Sequence, residues 1–552
     1  MPSHSFRLAA ALLAGLSGIV LPPVRAQETP PQPTLTQTLS PILRARIPAS
    51  GQPPELPADG GSFGAAPDLP CFYERRQYAP AWIGDKGLRP DADELIAALA
   101  DAPADGLDSE RYRLADLSRR LAQAKSAPAP GGLAEIDLRL TDAFLRLAAD
   151  LYNGAVNPDL IYSDCRLNLP ETDLAAALES ALAAGRVRQS LAELAPPHAG
   201  YKALKAALAQ ARALAARGGW PAVPEGPPLK PGDRGERVAA LRARLEGSGE
   251  LAADASPAEA HDLFDAPLQA ALVQFQDQHG LDADGKMGKG TLAALNVPAG
   301  QRVRQMEINL DRWRWLPRDL GERYIMVNIA GFALDVVEDG RPALSMKVVA
   351  GKPTTRTPMF SGRMTNVVLN PYWNVPPDIA RKEVLPRIAR EPGYAEKEGL
   401  EVKGNEVRQK PGPKNALGRV KLLFPNRFNV YLHDTPARSL FSRTVRGFSH
   451  GCIRIEKPVE LAEYLLKDDP AWTPEKIAAV LAKGREAWVT IPNPLPVHLV
   501  YWTAWVDEAG ALQLRDDLYG RDKPLLKVLG TEEAGAAPDR PPPPSRPPGK
   551  PS

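Results

Sequence analysis

The apolar residues of this chain change their period near residue 300, and that change constrains its architecture more than any other feature. Ahead of it the spacing is helical: Leu140, Phe144, Leu147 and Leu151 recur at i, i+4, i+7 and i+11, and Leu95 and Leu99 stand four apart. Beyond it come short runs rich in branched and aromatic residues: Tyr324 to Ile329, Phe332 to Val337, Leu344 to Val349, Thr365 to Leu369 and Val430 to Leu432. Trp488 to Ile491 and Leu499 to Trp505 add two more. These read as strands. Pro458 to Leu466 and Pro474 to Leu481 look helical, each with proline near its first turn. A chain of 552 residues exceeds what one hydrophobic core usually serves. The expectation is a multidomain protein, helical first and mainly β afterwards.

Composition and punctuation divide it further. Residues 27–66 are rich in Pro, Thr, Gln and Gly without an apolar period, which predicts a flexible lead-in. Residues 67–222 form a helical scaffold domain, whose Phe72, Tyr73, Tyr78 and Trp82 either line a groove or pack its core. After the prolines at 221–231, residues 229–298 set Val238, Leu241 and Leu245, then Leu268, Leu272 and Phe275, then Leu292 and Leu295, on three short helices. The β region spans 299–530, and a charged insertion with Gly and Pro at 376–426 interrupts its strands. Insertions of that length are lids or binding loops, or else mobile surface. Residues 531–552 end in PDRPPPPSRPPGKPS, which predicts a disordered tail.

The N-terminus predicts export. Arg7 precedes an apolar run from Leu8 to Leu21, and Val24 and Ala26 frame a cut before Gln27, the layout of a signal peptide over residues 1–26. That run is shorter than the roughly 20 residues that span a bilayer, and no other stretch is long and apolar enough. The formal net charge is +2 without long runs of one sign, so neither nucleic acid nor anionic lipid is the expected partner. Of three cysteines in an oxidising compartment, Cys71 and Cys165 lie in the N-terminal third and Cys452 stands alone. A Cys71–Cys165 disulfide with Cys452 free is expected, the alternative being two buried, inert thiols.

Chemistry concentrates in VYLHDTPARSLFSRTVRGFSHGCIRIEKP, where His433 closes a strand and Cys452 follows at 452 − 433 = 19 positions. A thiol becomes an effective nucleophile when a base raises its thiolate fraction, and His433 can supply that base. A backbone carbonyl near Asp434 can fix the imidazole tautomer. Gly451 lets backbone approach a substrate carbonyl, so the amides near Gly451 and Cys452 are candidates for an oxyanion hole. A zinc site built from His433, His450 and Cys452 is the competing chemistry, though no metal or other cofactor is expected.

A histidine followed at this spacing by S-H-G-C and an apolar residue resembles the L,D-transpeptidase signature. The segments VVAGKPTTRTPMFSG, NPYWNVPPDIARKEVLP and PVHLVYWTAWVD extend the resemblance to the long multidomain branch of that family, and residues 229–298 resemble its three-helix peptidoglycan-binding module. The resemblance implies a mainly β catalytic domain and a cysteine enzyme of the Gram-negative periplasm, associated with the cell wall. Its partner is peptidoglycan, as tetrapeptide-stem donor and amine acceptor; oligomeric state is not indicated. Cys452 takes the nucleophile position, His433 the base and Gly451 the backbone element. Where many members carry Asn two positions after the cysteine, this chain has Arg454, which suits a substrate carboxylate or pairs with Glu456. His450 is not assigned as the base. Ser449 is expected to orient the loop, and Trp373 with Tyr372 to flank the substrate groove or simply to pack.

In mechanism the resemblance implies a Cys452 thioester made from a tetrapeptide with loss of D-Ala, resolved by a stem amine to a 3→3 cross-link. Water or a free D-amino acid as acceptor would make an L,D-carboxypeptidase or an exchange enzyme, and a wall protein could also be attached. A catalytically silent wall-binding scaffold is the reading of a different class.

Overall fold

The computed structural model describes residues 33–49, 51–58, 61–167, 169 and 171–530; the expected signal peptide and Pro-rich tail lie outside the described residues. The expected lead-in does not hold across its described part. Helix α1 (Leu35–Arg46) opens on a capping box in which Thr34 and Gln37 each accept the other's backbone N–H. Leu39 and Leu43 are fully buried in the scaffold core. Local capping and two well-spaced leucines outweigh the Pro, Thr and Gln content around them.

That core surrounds α2 (Pro130–Asn153), on which Leu140, Phe144 and Leu147 are buried as their period predicts. Phe72, Tyr73 and Trp82 are also fully buried, so this aromatic cluster packs rather than lining a groove. The buried Asp137 carboxylate organises it, accepting the backbone N–H groups of Ala81 and Trp82 at 3.0 and 2.8 Å and the Tyr73 hydroxyl. Helix α3 (Ala199–Ala216) leaves this core and packs elsewhere, through Tyr201, Leu204 and Leu208, in a cluster shared with the β region.

The next unit contains α4 (Glu236–Ser248), α5 (Ala266–Gln278) and α6 (Lys289–Leu295) around Leu241, Leu245, Leu272, Phe275 and Leu295. Gln276 explains part of its pattern. Its side chain accepts the Gly285 N–H at 2.9 Å and donates to the Lys286 carbonyl at 2.9 Å, clamping the turn in which Gly285 has φ +67°.

Helix α7 (Ala299–Arg314) stands between scaffold and β region. Beyond it β1 (Arg323–Asn328), β2 (Ala333–Glu338), β3 (Arg341–Gly351), β4 (Met359–Leu369), β5 (Val420–Leu423), β6 (Leu432–His433), β7 (Ile453–Ile455) and β8 (Ala487–Val500) close on themselves. The order is β5-β6-β7-β3-β2-β1-β8-β4, and β4 pairs back onto β5. The result is a barrel filled by branched side chains. Only β6–β7 and β8–β1 among these pairs run parallel.

All three cysteines are free, so the expected Cys71–Cys165 disulfide is absent. The reason is placement. Cys165 is buried in a two-residue strand that joins the barrel beside Met359, whereas Cys71 is exposed on helix Leu69–Arg75, which packs into the scaffold core.

The insertion is neither bare loop nor loose surface. Trp373–Asn374, Leu400–Lys403 and Glu406–Gln409 form a three-stranded sheet, and Val375, Ala380 and Val407 make a small core of their own. No helix among the described residues is long and apolar enough to cross a membrane.

Candidate active site

Strand alternation builds the site. Successive side chains point to opposite faces of a strand, and Val420, Leu422, Leu432, Ile453 and Ile455 all point into the barrel core. Their neighbours must therefore face outward. The register pairs Lys421 with His433 and His433 with Arg454, so these three side chains stand in a row across β5, β6 and β7. One step along, Tyr431 and Cys452 share that face, and the Ile453 N–H donates to the Tyr431 carbonyl at 3.1 Å. The two-residue period brings residues 19 positions apart onto neighbouring strands.

His433 is buried, and its Nδ1 lies 2.6 Å from the Asp434 carbonyl oxygen. Donation from Nδ1–H fixes the tautomer and leaves Nε2 as the ring's acceptor. Burial, reinforced by Arg454 and Lys421, pushes the imidazole down to about 3, so it rests neutral. The Cys452 thiol is pushed above its ordinary value by burial, opposed by the Tyr431 amide and hydroxyl and by the Lys421 and Arg454 charges. The thiol also reaches the Asn429 carbonyl at 3.8 Å. A neutral thiol and a neutral imidazole are thus held beside two cations that favour a thiolate once it forms.

Backbone support comes from Ser449. Its hydroxyl donates to the Cys452 carbonyl and accepts the Gly451 N–H at 3.0 Å. That second bond corrects one expectation, because the Gly451 amide is committed to Ser449 rather than offered to a substrate. Gly451 itself is required by conformation: its φ is +112°, and Thr357 Oγ1 donates to its carbonyl at 2.8 Å.

Arg454 makes no ion pair with Glu456, whose carboxylate instead accepts the Lys347 N–H at 3.1 Å. Its buried Nε has no hydrogen-bond partner. His450 points away from the thiol, its Nε2 lying 2.8 Å from Glu383 Oε1 in the insertion. His433 and His450 therefore serve different partners, and no cluster of three metal-ligating side chains occurs among the described residues. Trp373 reaches the site, its indole facing the Tyr431 hydroxyl. Tyr372 does not come with it; its ring lies under the Arg408 guanidinium at 4.2 Å.

Sequence reasoning missed Tyr431 and Lys421. Tyr431 was detectable, since the run Val430 to Leu432 reads as extended chain and sets it two positions before His433, whose ring it meets at 5.7 Å between centroids. Lys421 follows only from the β5–β6 register, and its ammonium sits 4.1 Å from the Tyr431 ring centroid.

These charges predict the pH dependence of the thiol. Alkylation by iodoacetamide should keep accelerating above about pH 8.5, the ordinary thiol value, without an inflection near the ordinary histidine value. Lys421→Met should move the profile further upward. Mass spectrometry of alkylated Cys452 peptides across pH measures both, and a plateau by neutral pH would contradict the assignment. A second expectation concerns Gly418, whose φ is +61° and whose missing Cβ leaves room for the Asp434 carboxylate. Asp434 also accepts the Arg419 N–H at 2.8 Å. Gly418→Ala should displace this loop and the His433 ring with it, lowering kcat/KM on the order of 10²-fold while the protein stays folded. Unchanged turnover would show that the ring is held by other means.

Three family models match this chain: a scaffold domain over residues 67–208, a "Putative peptidoglycan binding domain" over 234–295 and an L,D-transpeptidase catalytic domain over 322–473. A curated relative, the "Putative L,D-transpeptidase" of Haemophilus influenzae, is 33% identical over 244 residues. The match spans 40% of this chain and 49% of that relative, so the chain covers about half the relative's length. Among solved structures, the L,D-transpeptidase from Xylanimonas cellulosilytica is 18% identical, with 50% of this chain and 98% of that one covered at a TM-score of 0.17. The L,D-transpeptidase of Stackebrandtia nassauensis is 16% identical, with coverages of 50% and 96% and a TM-score of 0.20. At such scores these two likenesses carry no argument about the site.

Proposed function

We propose that this chain, a multidomain member of the L,D-transpeptidase family, is an exported acyltransferase of peptidoglycan that forms 3→3 cross-links through a Cys452 thioester. One observation carries the reading: Cys452 shares one barrel face with His433, Tyr431, Lys421 and Arg454, and the His433 tautomer is fixed by Asp434. In the first half-reaction His433 Nε2 takes the thiol proton as sulfur attacks the carbonyl of diaminopimelate, the third stem residue. The Lys421 and Arg454 charges and the Tyr431 hydroxyl stabilise the developing thiolate. The tetrahedral oxyanion takes the Cys452 amide in place of the committed Gly451 amide. Collapse breaks the peptide bond, and the imidazolium returns its proton to the departing D-Ala amine. A stem amine then attacks the thioester while His433 takes its proton, and collapse breaks the C–S bond, the imidazolium returning the proton to the released Cys452 thiolate.

Arg454, unpaired beside the sulfur, suits a donor carboxylate. The folded insertion is the proposed lid, with Trp373 on its strand and Glu383 on its helical turn bridging to the Cys452 loop. The α4–α6 unit would hold the polymer, and the signal-like N-terminus would deliver the enzyme to the periplasm.

Incubation of the full chain with disaccharide tetrapeptides, followed by mass analysis, tests the reading. Dimers lacking one D-Ala support it. Tripeptide alone would establish hydrolysis, incorporation of added D-amino acid would establish exchange, and unchanged substrate would favour a wall-binding scaffold.

A further inference from the structure

Away from the barrel face, a cavity of about 270 Å³ opens where α3, the α4–α6 unit, α7 and the hairpin near Leu512 meet. Its size is at the small end of ligand pockets. Two nearly buried guanidiniums line it: Arg244 is 1% exposed and Arg302 7%. Neither has a counter-charge in contact. Arg244 donates to the Leu295 carbonyl at 2.7 Å and to the Ser248 hydroxyl, and it lies 3.9 Å from the Trp220 ring centroid. Arg302 donates to Gln305 Oε1 at 2.9 Å and the Ala294 carbonyl at 3.3 Å, while its buried Nε has no partner.

A third guanidinium, Arg515, stands behind them and also donates only to neutral oxygens, those of Gln278, Leu514 and Gln513. Burial lowers all three arginines, and their combined field helps push His279, stacked on Phe275, down to about 3. The acids that feel this cluster are Glu250 near Arg244, Asp516 near Arg302, and Asp277 and Asp507 near Arg515. Of these only Glu250 lines the cavity, and its carboxylate is occupied by the Ser248 hydroxyl. Burying a cation without a partner costs several kcal/mol; Glu250, reached from Arg244 through the Ser248 hydroxyl, offsets part of that cost for Arg244, while Arg302 feels only the more distant Asp516.

We propose that this cavity binds a small monocarboxylate, gripped by Arg302 and Arg244, at the seam joining the α4–α6 unit to the scaffold and the barrel. A guanidinium fork matches a planar carboxylate, and Arg302 lines the cavity while donating only to the neutral Gln305 and Ala294 oxygens. Glu250 limits the ligand to one negative charge, since a dianion would be repelled by the carboxylate already present. The occupant would neutralise the buried arginines and link three parts of the chain.

Thermal unfolding of the full chain tests this, with acetate and D-alanine as probes against chloride at equal ionic strength and inorganic phosphate as a dianion control. Acetate or D-alanine should raise the midpoint by a few degrees in a saturable way, and phosphate should raise it less. Arg302→Gln should raise the midpoint without ligand, because an uncompensated charge is removed, and should abolish the response to carboxylate. Ala211→Phe, which fills the cavity without altering charge, should also abolish it. Equal midpoints in acetate, D-alanine and chloride would overturn the proposal, as would a response surviving both substitutions or a larger one to phosphate.

Discussion

Cys452→Ala is expected to abolish acyl-enzyme formation and lower cross-linking by about 10⁴–10⁶-fold, the scale seen when a covalent nucleophile is removed. His433→Ala should cost less, about 10²–10⁴-fold, the usual range for a general base. The difference has a structural cause. With His433 absent, Lys421, Arg454 and the Tyr431 hydroxyl still favour a thiolate, so raising the pH should restore part of the activity. No such recovery is available to Cys452→Ala. The double variant should be no slower than Cys452→Ala alone, because the two residues act as one unit. Dimer formation from disaccharide tetrapeptides at several pH values measures all three proteins. Wild-type turnover in Cys452→Ala would end the assignment, and a His433→Ala defect insensitive to pH would end the base role.

How much of this was legible beforehand depends on whether the signal is local. The helix-to-strand change near residue 300 is a matter of period, and the helix around Leu140 and the strand around Val327 lie where that period puts them, whereas Val430 to Leu432 contributes only Leu432 to a strand. The His433–Cys452 pairing follows from a motif plus one parallel strand pair. What sequence could not supply is register and long-range satisfaction. Lys421 enters the site because β5 pairs antiparallel with β6, and no spacing rule announces that. Sequence makes the amides near Gly451 and Cys452 candidates for an oxyanion hole, but Ser449 captures that of Gly451. Cys71 and Cys165 looked like partners by count, yet a two-residue strand draws Cys165 into the barrel. Residues 27–66 read as a flexible lead-in because composition hides the capping box at Thr34 and Gln37.

Arg314→Met is expected to destabilise the protein by about 3–5 kcal/mol, the cost of orphaning a buried charge. Arg314 lies at the end of α7 with its side chain fully buried, 3.1 Å from Asp311 Oδ1, whose own side chain is 2% exposed. It also donates to the Asp105 carbonyl and, at 2.9 Å, to the Tyr201 hydroxyl, while Asp311 accepts the Ala155 N–H at 2.7 Å. These contacts reach α3 and the scaffold from the helix that leads into the barrel. Removing the guanidinium strands the Asp311 carboxylate, already raised by burial. With Arg314 gone its folded value rises further above the unfolded one, so folding favours the protonated form. Stability is then retained below the unfolded carboxylate value and lost as pH rises through the folded one. The deficit of Arg314→Met should therefore be larger at pH 8 than at pH 5. Arg314→Met with Asp311→Leu removes both charges and should recover most of the loss, because a buried pair replaced by apolar groups of similar size is often near neutral. Urea unfolding of the three proteins at both pH values measures this. A single-variant loss below about 1 kcal/mol, or a double variant no more stable than the single one, would show that α7 is held to the scaffold by apolar packing and not by this ion pair.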